Sequence, residues 1–359
     1  MKVRYQFLDA LRGYAAIGVV LFHIGTRFGG IHTAVNGYVA VDFFFILSGF
    51  VLAGAYEERL ASNLGLARFL ILRAIRLMPM AVFSVVAGAA YLLVRYHFAP
   101  VLSDPVSDII AASLLNLFLL PKLWVTAATR DETFPANGPL WSLSMEVAAN
   151  LIWARFLIGA RLATLVAVCG AGGALIVFMS LWKGTGDLGW NAYTYLGGIG
   201  RITFGFALGV ILFRTKDWIR LRSPIWPYIA LFLLTVSIFL PIRHVAWFLA
   251  CVLVLLPFAV ACGMSAGDRR FSPFDDVLGR ISYPLYAIHY PILMMGAGLE
   301  KKFGNGAGAP ALSLAIFAFI VAASYLLMRC FDEPVRKYLT TLYLNWRPAF
   351  APTIRGPLP

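Results

Sequence analysis

The sequence predicts an all-α, polytopic membrane helix bundle of about ten transmembrane helices with both termini in the cytoplasm. Three observations carry that prediction. The chain is 60% hydrophobic and only 13% charged over 359 residues, whereas a soluble domain is about half apolar and about a quarter charged. Apolar runs of helical length recur from end to end, and a spanning helix needs roughly 17–25 such residues. The basic residues fall mostly on alternate loops, as orientation in a bilayer requires. A membrane barrel is disfavoured, because its strands would alternate polar and apolar residues over roughly ten-residue segments.

The runs place spans at 8–28, 38–56, 78–97, 140–158, 163–182, 199–213, 225–241, 246–263, 283–299 and 310–330. A further stretch, 106–121, is apolar but is interrupted by Asn116 before Pro121, and reads as an interfacial or re-entrant piece. With the N-terminus inside, the cytoplasmic side collects Lys2, Arg4, Arg59, Arg68, Arg73, Arg76, Arg155, Arg161, Arg214, Lys216, Arg220, Arg222, Arg269, Arg270, Arg336 and others, leaving nine of the thirty Lys and Arg outside. The net charge of +13 is therefore a topology signal that also favours anionic membrane lipid, and no nucleic-acid partner is needed to explain it. Cys169, Cys251, Cys262 and Cys330 lie in apolar spans without metal-type spacing, so they read as packing residues and no metal site is expected. The first apolar run opens with Asp9 and Arg12 and lacks a small-residue cleavage site, so it is expected to stay as the first helix. Residues 1–338 are expected to form one membrane domain, and 339–359, with Pro348, Pro352, Pro357 and Pro359, a cytoplasmic tail.

Ionisable residues inside membrane helices cost several kcal/mol, which makes them functional candidates. Arg12 and His23 lie eleven residues apart in the first span, on one face and about 16 Å from each other. The plainer reading of Arg12 is an interfacial anchor paired with Asp9, three residues before it; that of His23 is a polar helix contact. Asp42 begins the run Asp42-Phe43-Phe44-Phe45-Ile46-Leu47-Ser48-Gly49. The phenylalanines there are apolar mass, and Ser48-Gly49 offers a small surface for close approach by a helix or a ligand. The fourth span opens Leu140-Trp141-Ser142-Leu143-Ser144-Met145-Glu146, with Glu146 inside the membrane among polar neighbours.

Counted from the outer ends of these spans, His23, Asp42 and Glu146 lie roughly 7, 6 and 9 Å deep, so an imidazole and two carboxylates can meet near the outer leaflet. A carboxylate beside the imidazole would fix its tautomer for general-base work. Either Glu146 or Asp42 suits that task, with Glu146 preferred. On the cytoplasmic side, Arg68-Phe69-Leu70-Ile71-Leu72-Arg73-Ala74-Ile75-Arg76 is an amphipathic basic stretch with Arg73 and Arg76 one turn apart. Arginine forks suit phosphate, although positive-inside charge explains any one of them. In Ile281-Ser282-Tyr283-Pro284-Leu285-Tyr286-Ala287-Ile288-His289, Tyr283, Tyr286 and His289 share a polar stripe. His289 lies too deep for an interfacial belt.

At these residues the chain resembles the acyltransferase 3 family of membrane-bound acyltransferases. The resemblance runs from Phe7 to about Lys337 and rests on six motifs in order. They are Leu8-Asp9-Ala10-Leu11-Arg12-Gly13 with Arg-x10-His to His23, the Asp42 to Gly49 run, Arg73-x-x-Arg76 with Pro79, Trp141 to Glu146, Ile281 to His289, and Glu333-Pro334. The resemblance implies acyl transfer from a cytoplasmic acyl-coenzyme A, usually acetyl-CoA, to a hydroxyl of a glycan or lipid-linked sugar at the outer face, with glycan-assembly proteins as partners. It implies that Arg12, Arg73 and Arg76 hold the coenzyme's phosphates and that the thioester reaches His23, the base. Ser48, Ser142, Tyr286 and His289 are candidate donors to the oxyanion, and an acyl-histidine intermediate is the covalent alternative. No extracytoplasmic hydrolase-like domain of the kind some members carry is expected. Two other classes compete: a transporter using Arg12, His23 and Glu146 as a substrate or proton path, and a structural membrane partner. Trp124, Trp182, Trp190, Tyr193 and Tyr195 in or beside the outward loops suit sugar rings or the membrane interface equally.

Overall fold

The computed structural model describes residues 5–28, 33–219, 221–267, 272–303 and 309–345. Lys2, Arg4, Arg220, Arg269, Arg270 and residues 346–359 of the expected tail lie outside the described residues. Helices form at all ten predicted positions. In chain order they are α1 (Gln6–Phe28), α2 (Ala40–Ser62), α3 (Leu66–Phe98), α4 (Val106–Leu117), α5 (Leu140–Ile152), α6 (Leu162–Lys183), α7 (Tyr195–Arg214), α8 (Trp226–Phe239), α9 (Val245–Ala250), α10 (Leu256–Met264), α11 (Asp275–Phe303), α12 (Ala309–Leu327) and α13 (Glu333–Asn345). Wide π turns extend α5 through Leu157, join α9 to α10 over Cys251–Leu255, and join α12 to α13 over Met328–Asp332. The described residues contain no strand, only the isolated bridges Thr126 to Arg130 and Glu132 to Asn191.

Seven of these stretches are long and apolar enough to cross a membrane: Gln6–Phe28, Gly37–Ser62, Leu66–Phe98, Leu162–Lys183, Ala192–Arg214, Val245–Met264 and Pro310–Asn345. The count falls short of ten for physical reasons. Helix α8 is only 14 residues long. Helices α5 and α11 carry Ser142, Ser144, Glu146 and Asn150, and Ser282, Tyr283, Tyr286, His289 and Tyr290, which dilute their apolar character. The stretch read as interfacial, 106–121, holds the 12-residue helix α4.

Two boundaries differ from the sequence reading. The third span was placed from residue 78, but α3 begins at Leu66 and takes the whole basic stretch into the same helix. Its run of Leu, Ile, Ala and Arg is uniformly helix-favouring. Helix α13 runs through Asn345, across the boundary expected at residue 339. Of the four cysteines, Cys330 is exposed and the other three are buried.

Helix α1 packs along α11, and α2 packs along α7, which also lies against α6. Glycines set the closest crossing: a Cβ on Gly49 would lie 2.1 Å from the Phe206 carbonyl oxygen, and one on Gly209 2.1 Å from that of Ile46. The small surface at Ser48-Gly49 is thus filled by α7, a backbone approach of the kind small residues permit.

Candidate active site

The arginines gather at one end of the bundle. Arg12 donates from Nε to Ser282 Oγ at 3.0 Å and from Nη2 to the Gly279 carbonyl at 3.1 Å, and pairs with Asp9 at 3.2 Å. The anticipated Asp9 pairing therefore coexists with an anchor to the start of α11. Arg73 Nη2 lies 3.0 Å from Glu146 Oε1, which also accepts from Ser48 Oγ at 2.8 Å. Arg76 makes no hydrogen bond or ion pair among the described residues. Its electrostatic neighbours are chiefly Arg336, Arg12 and Arg73, against the single acid Asp332, and Asp332 is already paired with Arg336 at 2.8 Å. This crowding of like charge around an arginine without an anion is the arrangement a phosphate relieves.

Neither predicted carboxylate orients His23. Glu146 is held by Arg73 and Ser48, because α3 begins low enough to bring Arg73 alongside α5. Asp42 is fully buried and takes a two-pronged bond from Arg201, Nε to Oδ1 at 2.9 Å and Nη2 to Oδ2 at 2.7 Å. Arg201 also donates to the carbonyls of Leu188 at 2.7 Å and Tyr38 at 2.8 Å, and lies against the rings of Trp141 and Phe248 at 5.3 and 5.7 Å. The buried pair ties α2, α7 and the loop before α7 into one unit. The sequence reading missed Arg201, although an arginine following Gly197, Gly198 and Gly200 in an apolar run is the kind of intramembrane charge that flagged Arg12.

The partner of His23 is His289. His289 Nδ1 sits 2.8 Å from the Tyr286 carbonyl and 3.1 Å from that of Leu285. Carbonyls only accept, so Nδ1 bears the hydrogen and, in the neutral ring, Nε2 bears a lone pair. That Nε2 lies 3.2 Å from His23 Nδ1, which is also 3.0 Å from the Val19 carbonyl. Both neighbours of His23 Nδ1 are acceptors, so it too carries its hydrogen and leaves His23 Nε2 unprotonated, with no protein partner among the described residues. Helix α11 thereby joins the Val19 carbonyl in fixing the tautomer of a side chain on α1.

The hydroxyls proposed for the oxyanion are engaged elsewhere. Ser142 Oγ and Tyr286 Oη lie 2.6 Å apart, and both address the Pro139 carbonyl, at 3.1 and 2.9 Å. One hydrogen goes to that carbonyl and the other to the companion hydroxyl. The Ser48 hydrogen goes to Glu146, and that of His289 Nδ1 to its carbonyls.

His23 and Tyr286 border a cavity of about 290 Å³, whose other walls include Tyr38, Trp141, Trp190, Arg27, Glu132 and Asp187. Arg27, one turn beyond His23, donates to the Tyr290 hydroxyl. The outer loop is pinned from within. Lys122 is buried and donates to the Arg130 carbonyl at 2.8 Å and to Thr126 and Thr129, while Asp104 accepts from the Ala128 and Thr129 amides at 2.6 and 3.1 Å. Thr133 donates to the Trp190 carbonyl, joining this loop to the one before α7. Of the outward aromatics, only Trp190 lines the cavity with the spanning-helix residues; Trp182 and Tyr193 are exposed.

A family model described as an acyltransferase domain matches residues 5–329. The chain belongs to the acyltransferase 3 family of acyl-transferring enzymes. It is similar to "Protein 2 in picA locus" of Rhizobium radiobacter, at 34% identity over 44% of this chain and 84% of that protein. It is similar to "Putative peptidoglycan O-acetyltransferase YrhL" of Bacillus subtilis, at 25% identity over 83% of this chain and 50% of that protein. It also resembles "Peptidoglycan O-acetyltransferase OatA" of Listeria monocytogenes, at 30% identity over 42% of this chain and 24% of that protein. The chain thus spans half or less of the length of those two O-acetyltransferases. No solved structure matches it.

Proposed function

We propose that this protein is a multi-pass O-acyltransferase of the cell membrane that moves an acetyl group from cytoplasmic acetyl-CoA to a hydroxyl of a glycan or lipid-linked sugar at the outer face. The observation that carries this reading is the unprotonated Nε2 of His23 beside the cavity, its tautomer fixed by the Val19 carbonyl and His289. In this reading all ten helices cross the bilayer and both termini are cytoplasmic. Arg76, Arg73 and Arg12 then face the donor side, and the excess positive charge around Arg76 fits the coenzyme's phosphates. The separation of Arg12 and His23, about 16 Å along α1, fits an extended pantetheine arm. Glycan-assembly proteins supply the acceptor.

His23 Nε2 takes the proton of the acceptor hydroxyl as its oxygen bonds to the thioester carbonyl carbon. The C–S bond then breaks with its electron pair going to sulfur, and His23 returns the proton to the departing thiolate. His289 Nε2 accepts from His23 Nδ1–H throughout and stabilises the imidazolium between the two transfers. Glu146 holds Arg73 at the donor mouth instead of serving the base, and Asp42 with Arg201 holds the outer wall.

The test is acetyl-CoA consumption and acetyl transfer by the purified, membrane-reconstituted protein. His23→Ala, folded by thermal unfolding, is expected to lose about 100-fold or more of the rate. Full activity in that variant removes the mechanism. Labelling that placed residues 57–77 on the outer face would remove the orientation. Acyl-donor-independent uptake by proteoliposomes would favour a transporter instead.

A further inference from the structure

We infer that the outer cavity selects a non-acidic, donor-rich sugar as its acceptor, and that Glu132 and Asp187 make the selection. This rests on the acyl-transfer reading above and narrows its substrate class.

The polar atoms lining the cavity set what it can hold. Glu132 and Asp187 both border it, and neither carboxylate has a hydrogen-bond partner among the described residues. The hydrogens of Ser142 and Tyr286 are spent on each other and on Pro139, and His23 Nε2 is an acceptor. Arg27, the cation in the lining, is exposed and turned to the Tyr290 hydroxyl. The hydroxyls of Tyr38 and Tyr290 serve in either sense. The wall therefore offers two carboxylates and the His23 lone pair against one cation, whose charge its bond to a neutral hydroxyl leaves intact, and the indole N–H groups of Trp141 and Trp190.

A ligand completes such a wall by bringing donors, since it covers these half-buried carboxylates and an acceptor covered without a partner costs free energy. A polyhydroxy ring brings several, and one of its hydroxyls must in any case face His23. The Trp190 ring supplies an apolar face for the carbons of a sugar, while its backbone is held by Thr133. A carboxylated or phosphorylated ring would instead set a third anion beside two carboxylates and could donate nothing to them from that group. Burial pushes the Asp187 carboxyl up to about 6, with Arg201 pulling it down and Asp42 pushing it up. It is therefore largely ionised at neutral pH. Burial also raises Glu132, against Arg27 and Lys122.

The experiment offers two matched acceptors, 4-nitrophenyl β-D-glucoside and 4-nitrophenyl β-D-glucuronide, to the reconstituted full chain with radiolabelled acetyl-CoA. Acetylated product is resolved by chromatography. The glucoside is expected to be acetylated with kcat/KM at least about tenfold above that of the glucuronide, the scale of one like-charge contact in a partly buried site. Asp187→Asn and Glu132→Gln, tested separately, are each expected to narrow that ratio. Equal or better acetylation of the glucuronide overturns the inference. So does acetylation of neither sugar while His23-dependent acetyl-CoA consumption proceeds, and so does a ratio unmoved by both substitutions. Absence of any His23-dependent consumption of acetyl-CoA is a different result: it defeats the acyl-transfer reading itself.

Discussion

Replacing His289 with leucine tests the tautomer argument directly. The substitution keeps an apolar side chain of similar bulk in a buried position but removes the Nε2 acceptor 3.2 Å from His23 Nδ1. His23 Nδ1 keeps its second acceptor, the Val19 carbonyl at 3.0 Å, so the loss is one of two hydrogen bonds. A neutral hydrogen bond contributes about 0.5–1.5 kcal/mol, and one to a charged group about 1.5–3 kcal/mol. The His289 bond is neutral in the resting site and becomes charge-assisted when His23 takes the acceptor's proton. The rate falls only by the difference between the two, about 1–1.5 kcal/mol between their mid-ranges, a decrease of roughly 5- to 13-fold. That is less than the loss expected on removing His23 itself. His289→Gln can place its amide oxygen near the former Nε2 and is expected to recover most of the rate. The assay is steady-state acetyl transfer with donor and acceptor varied in turn, on proteins matched by thermal unfolding. The decrease should appear in kcat while the KM for acetyl-CoA stays put, since His289 lies at the far end from the arginines. Activity of the leucine variant within about twofold of wild type would refute the reasoning, as would a glutamine variant no better than leucine.

Other outcomes follow from the same geometry. Arg76→Gln should raise the KM for acetyl-CoA by roughly 10-fold or more, the value of a charge-assisted contact to phosphate, and flatten its dependence on ionic strength; an unchanged KM would exclude Arg76 from the donor site. Asp42→Ala leaves Arg201 buried without its carboxylate and should cost about 3–5 kcal/mol, whereas Asp42→Leu with Arg201→Leu should recover much of it. Thermal unfolding in detergent reads both, and a double variant no more stable than the single would count against the pair. Gly49→Leu should lower the same unfolding temperature by forcing α2 from α7; an unchanged midpoint would show that the crossing yields at no cost. Asp187 gives a pH signature. Its folded value, raised by burial to about 6 from the ordinary 3.8, means the folded chain binds the proton first. Its unfavourable contribution is fully present above about pH 6 and is relieved as pH falls towards 4. The unfolding temperature of wild type relative to Asp187→Asn should therefore rise across that window, and parallel curves would contradict the assignment. Asp104 has the opposite sign. Burial raises it, but bonds from Thr129 and Ala128 outweigh burial and hold it below the ordinary 3.8. Its support of the outer loop is present above that value and lost as pH falls through the lower, folded one.

Helix positions were legible because the apolar runs are long and their punctuation is clear. The site residues on motifs were legible because an ionisable group in an apolar span is conspicuous. Pairing was not. Depth along one helix fixes a height in the membrane but not the neighbour a side chain faces, and Glu146 and Asp42 were both at a plausible height for His23. The competitor for Glu146 was hidden by where α3 begins: with its start at Leu66 instead of 78, Arg73 lies on the same helix, level with Glu146, and claims it. The His23–His289 contact joins residues 266 apart in sequence, and the intermediary is backbone carbonyls, which leave no mark in side-chain chemistry. Glu132 and Asp187 sit in outer loops, where acids attract no notice until a cavity gives them a shared wall.

The weak apolar character of α5 and α11 has a consequence for how the protein is made. A helix that partitions poorly into lipid alone enters the bilayer against helices already there, which shelter its polar side chains. Helix α1 is synthesised first and carries His23, whose Nδ1 already faces the Val19 carbonyl of the same helix, but its second acceptor, His289 Nε2, arrives only when α11, some 250 residues later in the chain, inserts beside it. A nascent chain stalled before α11 already has apolar helices resident in the membrane, yet it lacks the second acceptor of His23. Chains truncated after α10 are expected to reach the membrane with His23 held by the Val19 carbonyl alone and, in the proposed mechanism, to transfer acyl groups more slowly than the full chain.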